Sequence, residues 1–130
     1  SRVPSKLMKI VSASSFEPGE GEPEHAIDGD LETFWHTAYS ASTPKHPHQL
    51  TIDLSQSWPL TGVELTGRRS NVNGRIRRYA IYTSDDGKAF NKVTEGELEP
   101  GEGLRKVSFP EVKARFVRVE ALSETAGGPW

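Results

Sequence analysis

The stretch FWHTAYS, residues 34–40, sets His36 between Trp35 and a polar run, with Tyr39 three positions further on. A histidine so placed suits four roles: a packed core residue, a metal ligand, a catalytic base or one finger of a binding site. Just upstream, AIDGDLETFWHT (26–37) gathers Asp28, Asp30, Glu32 and Thr33 around Gly29. Oxygen-rich turns of this kind suit a hard cation such as calcium, which takes carboxylate, hydroxyl and carbonyl oxygens. The spacing is not that of an EF-hand, and an Asx-type turn leading into a buried Phe34 and Trp35 accounts for the same residues. Further on, TGRRSNVNGRI (66–76) clusters Arg68, Arg69, Asn71 and Asn73. The rigid donor fork of Arg and the paired donor and acceptor of Asn suit adjacent hydroxyls on a neutral polar ligand. An Asn-Gly turn flanked by solvated arginines uses the same side chains.

Two other chemistries have less to stand on. His36, His46 and His48 invite zinc, but no cysteine and no recognised ligand spacing accompany them, and PKHPHQL (44–50) reads as a solvated loop stiffened by Pro44 and Pro47. Hydrolysis needs facing carboxylates or a nucleophile beside its base. The acidic residues fall mainly in turns and no G-x-S-x-G motif is present, so an enzyme is not expected.

These residues must be positioned by short strands. HQLTIDL (48–54), TGVELTG (61–67), RRYAIYTS (77–84), AFNKVTEG (89–96), RKVSFP (105–110) and ARFVRVEAL (114–122) alternate apolar and polar residues with the period of a half-buried strand. A first strand is expected around MKIVSASS (8–15), followed by the loop FEPGEGEPEHA (16–26). Turn clusters such as SDDGK, NVNGR and ELEPGEG separate the strands, and no capped helical window appears. The pattern predicts an all-β sandwich or jelly roll. Its expected core is Leu50, Ile52, Leu54, Val63, Leu65, Tyr79, Ile81, Val107, Phe116, Val117 and Val119, with either member of a neighbouring pair facing inward.

With 130 residues the chain makes one domain, and 16 Lys+Arg against 18 Asp+Glu leave a net charge of -2, so no positive field gathers phosphates and nucleic acid is not an expected partner. There is no cysteine, so the core, with or without a metal, must hold the fold. Apolar runs fall far short of the roughly 20 residues that span a bilayer, and the first residues lack a signal-peptide core. That leaves a soluble protein as made or a domain cut from a longer secreted one.

In order and spacing, AIDGDLETFWHT, PHQLTIDL, RRYAIYTSDDGKAFNKV, ARFVRVEAL and GGPW resemble the coagulation factor V/VIII type C (discoidin-like) domains, and most of all their bacterial branch, the family 32 carbohydrate-binding modules. The resemblance covers nearly the whole chain. It implies a β-sandwich jelly roll of the galactose-binding type, with a structural calcium and a sugar site on loops at one end, and no catalysis. In galactose-binding members the sugar is held by a histidine with an aromatic three positions later, an arginine with an asparagine five positions after it, and a late aromatic. Those roles fall here on His36, Tyr39, Arg68, Asn73 and Trp130. The calcium would take Asp28, Asp30, Thr33 and the Ala26 carbonyl. The family pattern adds a last strand, with two further calcium ligands, after the Pro-Trp step at Trp130, so residues 1–130 are expected to be one module excised from a multimodular protein and lacking that strand.

The function so implied is lectin-like: a monomeric module, extracellular, cell-surface or periplasmic, that binds galactose, N-acetylgalactosamine or N-acetylglucosamine glycans and tethers the catalytic domain of a glycoside hydrolase to them. The alternatives are a discoidin-type domain that binds protein or phospholipid, and a structural spacer. The loops AYSASTPKHPH and GRRSNVNG have little of the aliphatic content that membrane insertion needs, which argues against a lipid surface.

Overall fold

The structure, a computed structural model, describes residues 3, 5–27, 35–38, 45–67, 76–98 and 103–123. Among the described residues five strands form one antiparallel sheet: β1 (Lys9–Ala13), β2 (His48–Gly67), β3 (Arg78–Ser84), β4 (Asn91–Glu97) and β5 (Gly103–Ala121), in the spatial order β1-β2-β5-β3-β4. Two short 3-10 turns, Ser5–Leu7 and Pro23–Ile27, are the only helical pieces among the described residues. No helix there is long and apolar enough to cross a membrane.

Four of the strands expected from the sequence are halves of two. Segments 48–54 and 61–67 run on as the 20 residues of β2, and 105–110 and 114–122 fall within the 19-residue β5 except for the last residue. The polar, proline-containing step SQSWP does not end the pairing; it is absorbed by register shifts between Asp53 and Trp58 and between Leu60 and Gly62. Side chains fix this step. Ser55 takes a left-handed φ of 74° while its amide donates to Asp53 Oδ1 at 2.8 Å, its hydroxyl donates to the Leu7 carbonyl, and Trp58 Nε1 donates to the Leu54 carbonyl at 3.1 Å.

A straight strand of 20 residues would reach roughly 66 Å. A 130-residue domain has a radius of gyration of only about 14 Å, so β2 and β5 must fold over. The core shows that they do: Val107 and Phe109 from one half of β5 share a cluster with Val117 and Val119 from the other, together with Leu54, Leu60, Tyr79, Ile81 and Ala114. The two halves of the long strands therefore face each other as the layers of a sandwich.

The expected core holds with one correction and several additions. Leu50, Leu54, Tyr79, Ile81, Val107, Val117 and Val119 are buried, and Ile52, Val63 and Leu65 pack against the cluster half-buried. Of the pair Phe116 and Val117, only Val117 faces inward. Phe116 lies instead over the SDDGK turn, where a Cβ on Gly87 would stand 3.1 Å from its ring, and Gly87 has a φ of 79° that also favours glycine. Leu60, Ala80, Phe109, Ala114 and Ala121 are buried as well. The turn itself is tied by Asp86, whose Oδ1 accepts from the Lys88 amide at 2.8 Å, the Ala89 amide at 3.0 Å and the Ser84 hydroxyl at 3.1 Å. The amide bonds from Ala89 and Lys88, followed by that of Ser84, hold the Asp86 carboxyl below its ordinary pKa.

Candidate functional site

His36 sits on a short segment, residues 35–38, laced to residues 15–21. The His36 amide donates to the Gly21 carbonyl at 3.2 Å, and the Glu17 amide donates to the His36 carbonyl at 2.9 Å. On either side Trp35 Nε1 donates to the Ser15 carbonyl at 2.9 Å and the Ala38 amide to the Ser15 hydroxyl at 3.1 Å. Gly21 makes the approach possible, because a Cβ there would stand 2.6 Å from both the Cβ and the amide nitrogen of His36. The loop FEPGEGEPEHA is thus a fitted shelf, with Glu17 itself buried.

The histidine is 7% exposed, and its Nδ1 donates to the Thr37 carbonyl at 2.7 Å. Because a carbonyl oxygen can only accept, that bond puts a proton on Nδ1 and fixes the orientation of the ring. Thr37 is 5% exposed, and its Oγ1 is the one buried side-chain polar atom among the described residues without a hydrogen-bond partner. Neither this orphan hydroxyl nor the fit of Gly21 against His36 left a signal in the sequence reading.

Of the other residues assigned to a site from sequence, Ala26 lies in the Pro23–Ile27 turn. Tyr39, Arg68, Asn73 and Trp130, and the expected calcium ligands Asp28, Asp30 and Thr33, lie outside the described residues.

His46 and His48 depart from the solvated loop expected for them. His48 opens β2, pairs with Ala121 and is 2% exposed, and the His46 ring packs on it with centroids 4.4 Å apart. Pairing with the end of β5 carries HQL (48–50) into the sheet, which the two prolines had masked. No group of three or more His, Cys, Asp or Glu able to hold a metal occurs among the described residues.

The opposite side chains of the sheet make a polar lattice: Arg118 Nε donates to Thr51 Oγ1 at 2.9 Å while its guanidinium lies 3.9 Å from the centroid of Phe90. A two-pronged ion pair joins Arg115 to Asp53, at 2.8 Å from Nε to Oδ1 and 2.9 Å from Nη2 to Oδ2. The Arg115 bond, against the opposing effect of burial and with help from the Ser55 amide, holds the Asp53 carboxyl below its ordinary range.

The model of one protein family, described as the F5/8 type C domain, matches residues 10–130. The chain belongs to the F5/8 type C domain family. This F5/8 type C domain is similar to a Clostridium perfringens CBM32 domain solved in complex with GalNAc-β-1,3-galactose, at 32% identity and a TM-score of 0.92 over 98% of this chain and 92% of that one. It is also similar to a family 32 CBM of C. perfringens solved in complex with galactose, at 29% identity and a TM-score of 0.86 over 96% and 89% of the two chains. Among whole proteins it is 34% identical over 124 residues to a sialidase of Micromonospora viridifaciens, a match that takes in 92% of this chain but only 19% of the sialidase. The jelly-roll sandwich of the galactose-binding type and the family resemblance, both read from the sequence, hold for this F5/8 type C domain.

Proposed function

We propose that this F5/8 type C domain is a carbohydrate-binding module, without catalysis of its own, that holds an attached glycan-active enzyme at glycans bearing galactose or N-acetylhexosamine. The observation that carries this reading is the placement of His36: the ring is buried beside the loop segment 15–21 and is oriented in advance by its bond to the Thr37 carbonyl, as a side chain that bonds a sugar hydroxyl needs to be. The two solved relatives, one with galactose and one with GalNAc-β-1,3-galactose, support the same ligand class. Arg68 and Asn73 are assigned to the polar edge of the pyranose, and Tyr39 and Trp130 to its C–H face.

A calcium ion belongs to the same proposal. Its donors would be the carboxylates of Asp28 and Asp30, the Thr33 hydroxyl and the Ala26 carbonyl, an all-oxygen set of the kind calcium takes. Ala26 fits, because it is the penultimate residue of the Pro23–Ile27 turn, where carbonyls lack partners within the turn. The ion would supply rigidity, fixing the chain just ahead of Trp35 and His36.

Attachment raises the effective concentration of the enzyme at its substrate, so modest affinity for a single sugar suffices. The module therefore works where glycans are displayed, outside the cell, on its surface or in the periplasm. The test is isothermal titration with galactose, N-acetylgalactosamine, N-acetylglucosamine and glucose, beside His36→Ala and Arg68→Ala. The expected result is saturable heat for one of the first three, weakened by about 1 to 3 kcal/mol in each variant. Heat unchanged in both folded variants would place the sugar elsewhere, and no heat with any sugar would overturn the reading.

A further inference from the structure

We propose that Phe16 carries the second sugar unit of a bound glycan, its exposed ring serving as a platform for the C–H face of a neutral pyranose next in the glycan to the one bonded by His36. The inference rests on the reading of His36 as a sugar-bonding side chain, and it adds a residue and a ligand length which that reading leaves open.

Phe16 is fixed beside His36 by its two neighbours in sequence. The Glu17 amide donates to the His36 carbonyl at 2.9 Å. Ser15 receives two bonds from the same segment, from Trp35 Nε1 to its carbonyl at 2.9 Å and from the Ala38 amide to its hydroxyl at 3.1 Å. The Phe16 carbonyl carbon is one bond of about 1.33 Å from the Glu17 nitrogen, so it stands within about 4.3 Å of the His36 carbonyl oxygen. The loop held in this way turns Glu17 inward, at 8% exposed, and Phe16 outward, at 41%. No other Phe, Tyr or Trp among the described residues is as exposed. Phe90 and Phe116 each have an arginine guanidinium over the ring.

The backbone that carries the ring is therefore tied on both sides to the segment that carries His36. A phenylalanine has only two side-chain torsions, so holding it against a ligand costs little entropy. One face of a pyranose is a row of C–H groups, which packs on the face of an aromatic ring.

The surroundings select the occupant. The loop 16–26 bears four glutamates, Glu17, Glu20, Glu22 and Glu24, whose charge disfavours anionic lipid headgroups and anionic sugars alike. Val11 is the one other exposed large hydrophobic side chain among the described residues, and two such residues fall far short of the roughly 800 Å² that each partner brings to a stable protein interface. A single flat ring on a polar, acidic loop fits one uncharged sugar unit.

The test is isothermal titration with each monosaccharide beside a neutral disaccharide that extends it: galactose with lactose, N-acetylgalactosamine with GalNAc-β-1,3-galactose, and N-acetylglucosamine with chitobiose. In the pair that the domain takes, the disaccharide is expected to bind about fivefold tighter or more. Phe16→Ala should erase that gain and leave the monosaccharide affinity at the wild-type value, Phe16→Tyr should keep the gain, and His36→Ala should weaken both sugars. A folded Phe16→Ala that weakens monosaccharide and disaccharide equally would make the ring a support for the loop and overturn the proposal. So would a wild type that gains nothing from the second unit, or a gain that survives in Phe16→Ala, and in both cases the reading of His36 would stand. No heat from any of the six sugars would remove that reading and this one together. Pelleting with phosphatidylcholine–phosphatidylserine vesicles that Phe16→Ala abolishes would overturn the proposal in favour of a lipid surface.

Discussion

Arg115 grips both oxygens of Asp53 across the irregular step of β2, at 2.8 Å and 2.9 Å, while the same carboxylate accepts the amide of Ser55. The pair joins the two long strands at the place where β2 loses its regular register. Its Asp53 side chain is 16% exposed and its Arg115 side chain 43%, so solvent screens the charge attraction and the paired geometry matters more. Because the folded carboxyl is held below its unfolded value, Asp53 contributes stability that is present above about pH 3.9 and lost as pH falls through the lower folded value. Asp53→Asn should therefore reduce stability by about 1 kcal/mol at neutral pH in urea unfolding, with the deficit shrinking in acid. A deficit constant from neutral to strongly acidic pH would remove the carboxylate's charge from the explanation.

Gly21 leaves no room for a methyl group. A Cβ would meet backbone and Cβ atoms of His36 at 2.6 Å, contacts that no rotamer change relieves. Gly21→Ala should destabilise the domain by about 1 to 3 kcal/mol and displace His36, so that sugar affinity falls along with thermal stability. Gly19, whose φ is 81° but whose added Cβ meets nothing within 4 Å, provides the contrast: Gly19→Ala should cost only backbone strain and leave affinity near the wild-type value. Equal losses of affinity in the two variants would detach the effect from His36.

Alternation along the chain was enough to find Leu50, Leu54, Val107, Val117 and Val119, because a half-buried strand writes its buried face into every second position; β3, which is buried on both faces from Tyr79 to Ile81, was found with Tyr79 and Ile81, but its second buried face, Ala80, was not. It could not see that Ser55 and Asp53 carry β2 through a proline-containing step, since that depends on Arg115, far along the chain. His48 was misread for the same reason: its burial comes from Ala121, which is not its neighbour in sequence. The residue types around His36 left four roles open for it, and the resemblance to the family, carried by AIDGDLETFWHT and its companions, is what assigned it to a sugar site. The orphan hydroxyl of Thr37 and the close packing of the Tyr79 ring over Gly96 are three-dimensional facts with no local pattern.

Thr37 gives a prediction in the stabilising direction. Its buried hydroxyl lacks a partner, and an unsatisfied polar group of this kind costs about 1 to 3 kcal/mol. Thr37→Val keeps the branched shape and the backbone carbonyl that accepts from His36 Nδ1, while removing the hydroxyl. Stability should rise by about 1 kcal/mol in chemical denaturation. A loss of stability instead would mean that the hydroxyl is satisfied in solution by a bound water.

Calcium removal tests the oxygen-rich turn. If Asp28 and Asp30 hold an ion with the Ala26 carbonyl, the ion binds the folded chain alone and stabilises it by mass action, by about 2.7 kcal/mol at a hundredfold excess over its dissociation constant. Chelation should then lower the melting temperature by roughly 10 °C, reversibly on adding calcium back. Asp30→Asn should take away most of that response. Because Ala26 lies nine residues from Trp35 and the 35–38 segment holds His36, the loosened turn should also weaken sugar binding, and the two losses should track one another as calcium is titrated. Sugar affinity that stays constant across a calcium titration which does shift the melting temperature would leave the ion with a role in the fold and none in positioning His36.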